Sequence, residues 1–156
     1  GDNLYEMIVT SFLALKVPLI KYRIGDYAEL ENESDYHCKC RREFPTIKLV
    51  LGRLDDLVVS ANGSVFGMAS YKIFKEARFV RRSQVVQETP KSVRILVVKD
   101  VGYSTKDEEF IFSKAVSVFG KEMFVSVEHV NEIPLGANGK FKSVVRKFPL
   151  SEISKR

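Results

Sequence analysis

Tryptophan is missing from these 156 residues, and histidine and cysteine occur only twice each. Two cysteines cannot build a disulfide framework. Two histidines leave no convincing Ser/His/Asp or Cys/His arrangement for nucleophilic catalysis. No apolar run reaches the roughly 18 residues that a membrane-spanning helix needs, and no signal-peptide pattern opens the chain. The apolar stretch Ile8 to Ile20 is broken by Ser11, Lys16 and Pro18 and reads as two strands. The expectation is a cytoplasmic protein with no membrane partner. Internal repeats and low-complexity tracts are also lacking.

What is there fits a soluble globular chain. Hydrophobic residues make up 45% and charged residues 29%, enough for a real core. The length allows one ordinary domain, or a small domain with a flanking piece. The net charge of +5 is modest. Its excess sits in Arg78, Arg81 and Arg82 and in Lys140, Lys142, Arg146, Lys147, Lys155 and Arg156. These residues flank apolar strands rather than interleaving with exposed aromatics, so they read as a solvated face and no nucleic-acid partner is expected. The first residue is Gly1, and the first methionine, Met7, lies inside an apolar strand pattern. The chain is expected to start within a longer protein.

The first third reads as strands: Met7 to Leu13, Leu19 to Tyr22, Tyr27 to Leu30 after a Gly25-Asp26 turn, and Ile47 to Leu51. Glu31 to Glu43 is polar, without periodicity, and reads as a loop. From Asp56 the character changes. Leu57 to Ser60 is a short strand, and Met68, Tyr71, Ile73, Phe74 and Ala77 recur at helical spacing. Ser83 to Glu88 and Ser92 to Val98 are strands joined by Thr89-Pro90-Lys91. Lys106 to Phe119 is the clearest helix, with Gly120 just past its end. Met123 to Val130 is a strand, Ile133 to Gly139 a Pro/Gly loop, and Phe141 to Phe148 an extended segment. Strand, helix, strand, strand, helix, strand is the ferredoxin-like βαββαβ order. The fold class is therefore read as α+β: a strand-rich tail over residues 1–54, then a ferredoxin-like domain over 55–156.

Three short signatures carry the chemistry: Tyr22-Arg23-Ile24-Gly25-Asp26, Gly52-Arg53-Leu54-Asp55-Asp56 and Asn138-Gly139-Lys140. A carboxylate held on a tight turn, such as Asp26, can accept hydrogen bonds from both hydroxyls of a ribose; it can equally be an ordinary turn former. Arg53 can reach a ribose or phosphate, and Asp55 can cap either of two backbone arrangements at a pivot; both can also merely solubilise a linker. Lys140 follows the flexible Gly136, Asn138 and Gly139, and can swing into a site to neutralise charge building on a phosphoryl centre. Its plain reading is an exposed turn lysine. The segment is no P-loop, because Phe141 stands where Ser or Thr should hold magnesium. His37, Cys38 and Cys40 cluster, but Cys-x-Cys is tighter than common zinc knuckles and a second pair is lacking. Cys38 and Cys40 are weak zinc candidates, and no metal is expected. His129 reads as half-buried strand filler.

Taken in order, the signatures resemble the adenylate-forming superfamily of acyl-CoA synthetases, and more closely its phenylacetate–coenzyme A ligase branch. Pro18 through Asp26 is similar to that family's "PxxRYRTGD" stretch. Cys38-Lys39-Cys40-Arg41, Pro45 and Leu51 through Asp56 are similar to its "CxCG…P…GRxDD" stretch, and Glu132 through Val144 to its terminal "IPR…GKFRxV". Arg41 departs from the usual Gly. Ser60 through Gly67 departs from the ligases' "RGVNVFP" and resembles the branch linked to capsular polysaccharide biosynthesis.

The resemblance implies a carboxylic acid substrate, ATP and Mg2+, with coenzyme A as acceptor. Asp26 would bind the ribose hydroxyls, Arg53 the nucleotide, and Asp55 would be the hinge. Lys140 would be the lysine of the adenylation step. It also implies a partner in a missing N-terminal domain that holds the phosphate loop and acyl pocket, so this chain alone would be inactive. Self-association stays open. Two other readings compete: an adenylating protein of capsule synthesis with a non-CoA acceptor, and a non-catalytic ferredoxin-like partner-binding module. RNA binding lacks its aromatic pair on adjacent strands.

Overall fold

The computed structural model describes residues 4–13, 16–31, 46–136 and 138–149. His37, Cys38 and Cys40 lie outside the described residues. The chain separates into two compact units, Gly1–Leu54 and Asp55–Arg156.

The first unit is a three-stranded antiparallel sheet of β1 (Leu4–Val9), β2 (Tyr22–Leu30) and β3 (Ile47–Arg53), in that order. The expected Gly25-Asp26 turn is instead an irregularity within one nine-residue strand. Opposite β1, the register slips between Glu6–Tyr27 and Ile8–Arg23. Gly25, at φ 81°, sits inside that slip. A second slip separates the Tyr27–Gly52 and Ala28–Val50 pairs, where Gly52 has φ 89°. Bulges of this kind bend a strand and re-aim its side chains, and their left-handed residue is best a glycine. Arg23 and Glu6 form an ion pair across β1 and β2; this hydrogen bond lowers the Glu6 pKa and raises that of Arg23.

The second unit begins with a two-stranded hairpin, β4 (Val58–Val59) and β5 (Val65–Phe66). Its turn is the Asn62-Gly63 signal: Gly63 N–H donates to the Ser60 carbonyl at 2.9 Å, and Ser64 N–H to Asn62 Oδ1 at 3.0 Å. The helix α1 (Ala69–Phe74) follows, then β6 (Val80–Thr89), β7 (Ser92–Lys99), α2 (Thr105–Phe119), β8 (Phe124–His129) and β9 (Val144–Arg146). The four longer strands order as β8-β7-β6-β9.

Helix α2 forms where its apolar spacing demands. Ile111, Ala115 and Phe119, four residues apart, are buried on one face. Ser104 and Asp107 close its start, with Ser104 N–H donating to Asp107 Oδ2 at 2.9 Å. Those bonds from Ser104 hold the Asp107 carboxyl below its ordinary value. Gly120 at φ 79° ends the helix. Both helices share one core with the inward face of the sheet: Ala69 and Ile73, the α2 triplet, and Val85, Val93, Ile95, Val97, Val125 and Val144.

The element order predicts an antiparallel ferredoxin-like sheet, and the observed sheet departs from it. The β6–β7 hairpin is antiparallel and central, while β8 pairs with β7, and β9 with β6, in parallel. The strands before α1 pair with each other, outside this sheet. A β-helix-β connection through α2 brings β8 back parallel to β7. The expected order lacks β5 and leaves β9 as an extended segment, so it assigns β4 to the main sheet and misses the strand that pairs with β6. Among the described residues no helix is long and apolar enough to cross a membrane.

Candidate functional site

Two of the signatures meet in the first unit. Asp26 and Arg53 are direct cross-strand partners on β2 and β3, although 26 intervening positions separate them in the chain. The register slips at Gly25 and Gly52 flank this pair, so both side chains project from locally re-aimed backbone. Asp26 is half-buried and Arg53 exposed. Neither side chain has a hydrogen-bond or ion-pair partner among the described residues. The register thus sets a half-buried carboxylate opposite an arginine, residue types that can accept from a neutral diol and pair with an anionic group respectively.

Asp55 opens the second unit, within a 3-10 turn at Leu54–Asp56. Its side chain is 73% exposed, and its carboxylate lies 3.4 Å from Lys142 Nζ. Exposure ends abruptly after it: Leu57, Val58 and Val59 are all buried. Two side chains fix this buried stretch within the unit. Arg146 Nη1 donates to the Leu57 carbonyl at 2.9 Å. Gln87, wholly buried on β6, accepts from Val59 N–H at 3.0 Å and donates to the Val59 carbonyl. Asp55 is thus an exposed residue three positions before a strand that Arg146 and Gln87 hold within its unit.

Lys140 stands at an exposed loop between β8 and β9. Its own backbone closes the tip: Gly136 N–H donates to the Lys140 carbonyl at 2.9 Å, and Lys140 N–H to Asn138 Oδ1 at 3.1 Å. Gly139, at φ 71°, supplies the left-handed residue the tight return needs. The ammonium has no carboxylate partner among the described residues. The four candidates therefore divide, with Asp26 and Arg53 in one unit and Asp55 and Lys140 in the other.

Sequence reasoning passed over several side chains that hold these positions. Arg81, Arg82 and Arg146 read as a solvated face, yet each donates to a backbone carbonyl. Gln87 is one of two amides in β6, with Gln84, and nothing in the sequence sets it apart from that neighbour. His129, read as half-buried filler, is exposed and sits 3.2 Å from Glu108, edge-on to the Tyr103 ring. The Tyr103 hydroxyl is buried without a partner among the described residues, and burial, with Glu108 and Asp107 nearby, pushes its pKa up to about 12. No group of three metal-ligating side chains converges among the described residues.

Comparison with known proteins bears on both units. Residues 57–147 match the model of the CapK C-terminal domain. Protein CapK of Staphylococcus aureus is 30% identical over 159 residues, covering 97% of this chain and 33% of that protein. The chain thus spans about a third of the length of the curated relative it matches. Among solved structures, an open conformation of 2-hydroxyisobutyryl-CoA ligase in complex with 2-HIB-AMP and CoA superposes with a TM-score of 0.54 at 17% identity. That alignment covers 82% of this chain and 29% of the ligase. The same ligase in its postadenylation state, in complex with R3-HIB-AMP, gives 0.50 at 15% identity over 94% of this chain and 36% of that one. At such identities the likeness is one of fold.

Proposed function

The chain belongs to the CapK C-terminal domain family, and from that premise we propose that it is the carboxyl-terminal third of an AMP-forming carboxylate ligase. The observation that carries the reading is the cross-strand pairing of Asp26 with Arg53. Two signatures read independently for ribose and nucleotide recognition are cross-strand neighbours at paired bulges.

In this reading the Asp26 carboxylate accepts hydrogen bonds from the ribose hydroxyls, and Arg53 lies against the nucleotide. A carboxylate oxygen of the acid attacks the α-phosphorus of ATP. The new P–O bond forms as the bond to the bridging oxygen breaks, and pyrophosphate leaves. Lys140 brings its ammonium to the phosphoryl oxygens as negative charge gathers there, a preorganised electrostatic effect. Asp55 is the pivot about which Asp55–Arg156, carrying Lys140, turns between this step and the next. In the second step an acceptor nucleophile attacks the acyl carbon and AMP departs. Coenzyme A is the acceptor in the phenylacetate ligase-like form of the proposal. Mg2+ would accompany ATP as counter-ion, and no residue of this chain is assigned to it.

The test uses the full-length protein and follows acid-dependent pyrophosphate release. Lys140→Ala is expected to lower it about 100- to 1000-fold, the usual cost of one electrostatic donor at a developing oxyanion. Release that persists undiminished removes the role given to Lys140. The resemblance of Ser60 through Gly67 to the branch linked to capsular polysaccharide biosynthesis supports a second version, in which the acceptor is not coenzyme A. Adenylate formation that proceeds normally while coenzyme A never accelerates AMP release supports that version.

A further inference from the structure

The loop bearing Lys140 is held from beneath by β6, and one side chain grips it at both ends. Arg82 Nη1 donates to the Ile133 carbonyl at 3.3 Å. The same guanidinium lies over the Phe141 ring, 5.4 Å from its centroid. Ile133 is buried, at 2% exposure, and Phe141 follows Lys140 directly. One planar group therefore touches residues eight positions apart, with the exposed tip and Lys140 between them. Its neighbours on β6 reinforce the grip. Arg81 Nη2 donates to the Asn131 carbonyl at 3.2 Å, and Gln84 Nε2 to the Lys142 carbonyl at 2.8 Å. Arg82 and Gln84, two apart on a strand, project on one face, opposite to Val85 and its core partners.

We propose that Arg82 is a positioning residue for Lys140, a clamp that fixes both feet of the lysine loop so that the ammonium samples few positions. This rests on the reading of Lys140 as the adenylation lysine. The loop contains Gly136 and Gly139, and an unpinned segment so rich in flexible residues spreads its tip over many conformations. A charge must be held close to its working position for its full effect on a developing anion. Arginine suits the task because it donates in its plane while stacking by its face, which lysine cannot do at once.

The experiment measures acid-dependent pyrophosphate release and amide hydrogen exchange in the full-length protein carrying Arg82→Ala, Arg82→Lys or Lys140→Ala, and the Ala pair combined. Arg82→Ala is expected to lower kcat about 10-fold with the KM values for ATP and acid held within about twofold, the signature of lost orientation rather than lost binding. Arg82→Lys should recover part of that loss, because charge and one donor remain. Amides from Gly136 to Phe141 should exchange faster in Arg82→Ala, while those of β6 and β7 should not. On the Lys140→Ala background the Arg82 change should cost nothing more. Four results overturn the clamp: an unchanged rate in Arg82→Ala where Lys140→Ala abolishes it, a defect confined to KM, equal losses with and without Lys140, or faster exchange throughout β6 and β7. If Lys140→Ala itself leaves release intact, the parent reading fails, and the clamp falls with it.

Discussion

Gln87 offers the sharpest test of how the proposed pivot is anchored. Its side chain is fully buried and satisfies both backbone groups of Val59, itself only 3% exposed. The amide also donates to the Thr89 carbonyl at 3.1 Å. Gln87→Leu keeps the volume but leaves the Val59 N–H and carbonyl without partners. Each buried orphan costs about 1–3 kcal/mol, so the pair should cost about 3–4 kcal/mol once water reaches part of the gap. With a urea slope of about 1.5–2 kcal/mol per molar, the unfolding midpoint should fall by about 2 M. That is a large share of the roughly 5–15 kcal/mol that keeps a domain folded.

Gln87→Glu adds a second arm. The carboxylate still accepts from Val59 N–H but confronts the Val59 carbonyl with a lone pair. Burial and that carbonyl raise the folded-state pKa of the introduced group. Its favourable, protonated contact is therefore present below the unfolded value of about 4.3 and lost as pH rises through the folded one. The variant should regain stability on mild acidification relative to wild type. A Gln87→Leu midpoint within about 0.5 M of wild type would refute the anchoring role, because unpaired buried peptide groups cannot be that cheap.

Other outcomes are expected from the same structure. Gly25→Ala should destabilise the first unit by about 1–2 kcal/mol, read by chemical denaturation; nothing lies within 4 Å of the added methyl, so the cost is the positive φ alone. Tyr103→Phe should leave stability unchanged or raise it, by up to about 1 kcal/mol, because it removes a buried hydroxyl with no hydrogen-bond partner among the described residues. In the unmodified protein, a 295 nm titration should show a tyrosine ionising near 12. The stability tied to Tyr103 should be intact below pH 10 and lost as pH rises through about 12. Asp26→Asn in the full-length protein should raise the KM for ATP about 10-fold, as loss of a charge-assisted bond to a hydroxyl predicts; an unchanged KM removes the ribose role.

Local pattern alone determined the second helix, the β6–β7 hairpin and the loop before Lys140. Ile111, Ala115 and Phe119 recur at the helical period, Thr89-Pro90-Lys91 separates two β-branched runs, and Pro134, Gly136 and Gly139 forbid a regular element. Such signals act over a few residues, so a linear reading captures them. Pairing between distant strands was a different matter. The parallel placement of β8 and β9, the meeting of Asp26 with Arg53, and the conversion of a supposed turn at Gly25 into a bulge each depend on which backbone groups find partners far along the chain. The same holds for Arg82 and Gln87. Side-chain identity advertised a charge and an amide, but their worth lay in backbone carbonyls and N–H groups, which nearly every residue carries alike.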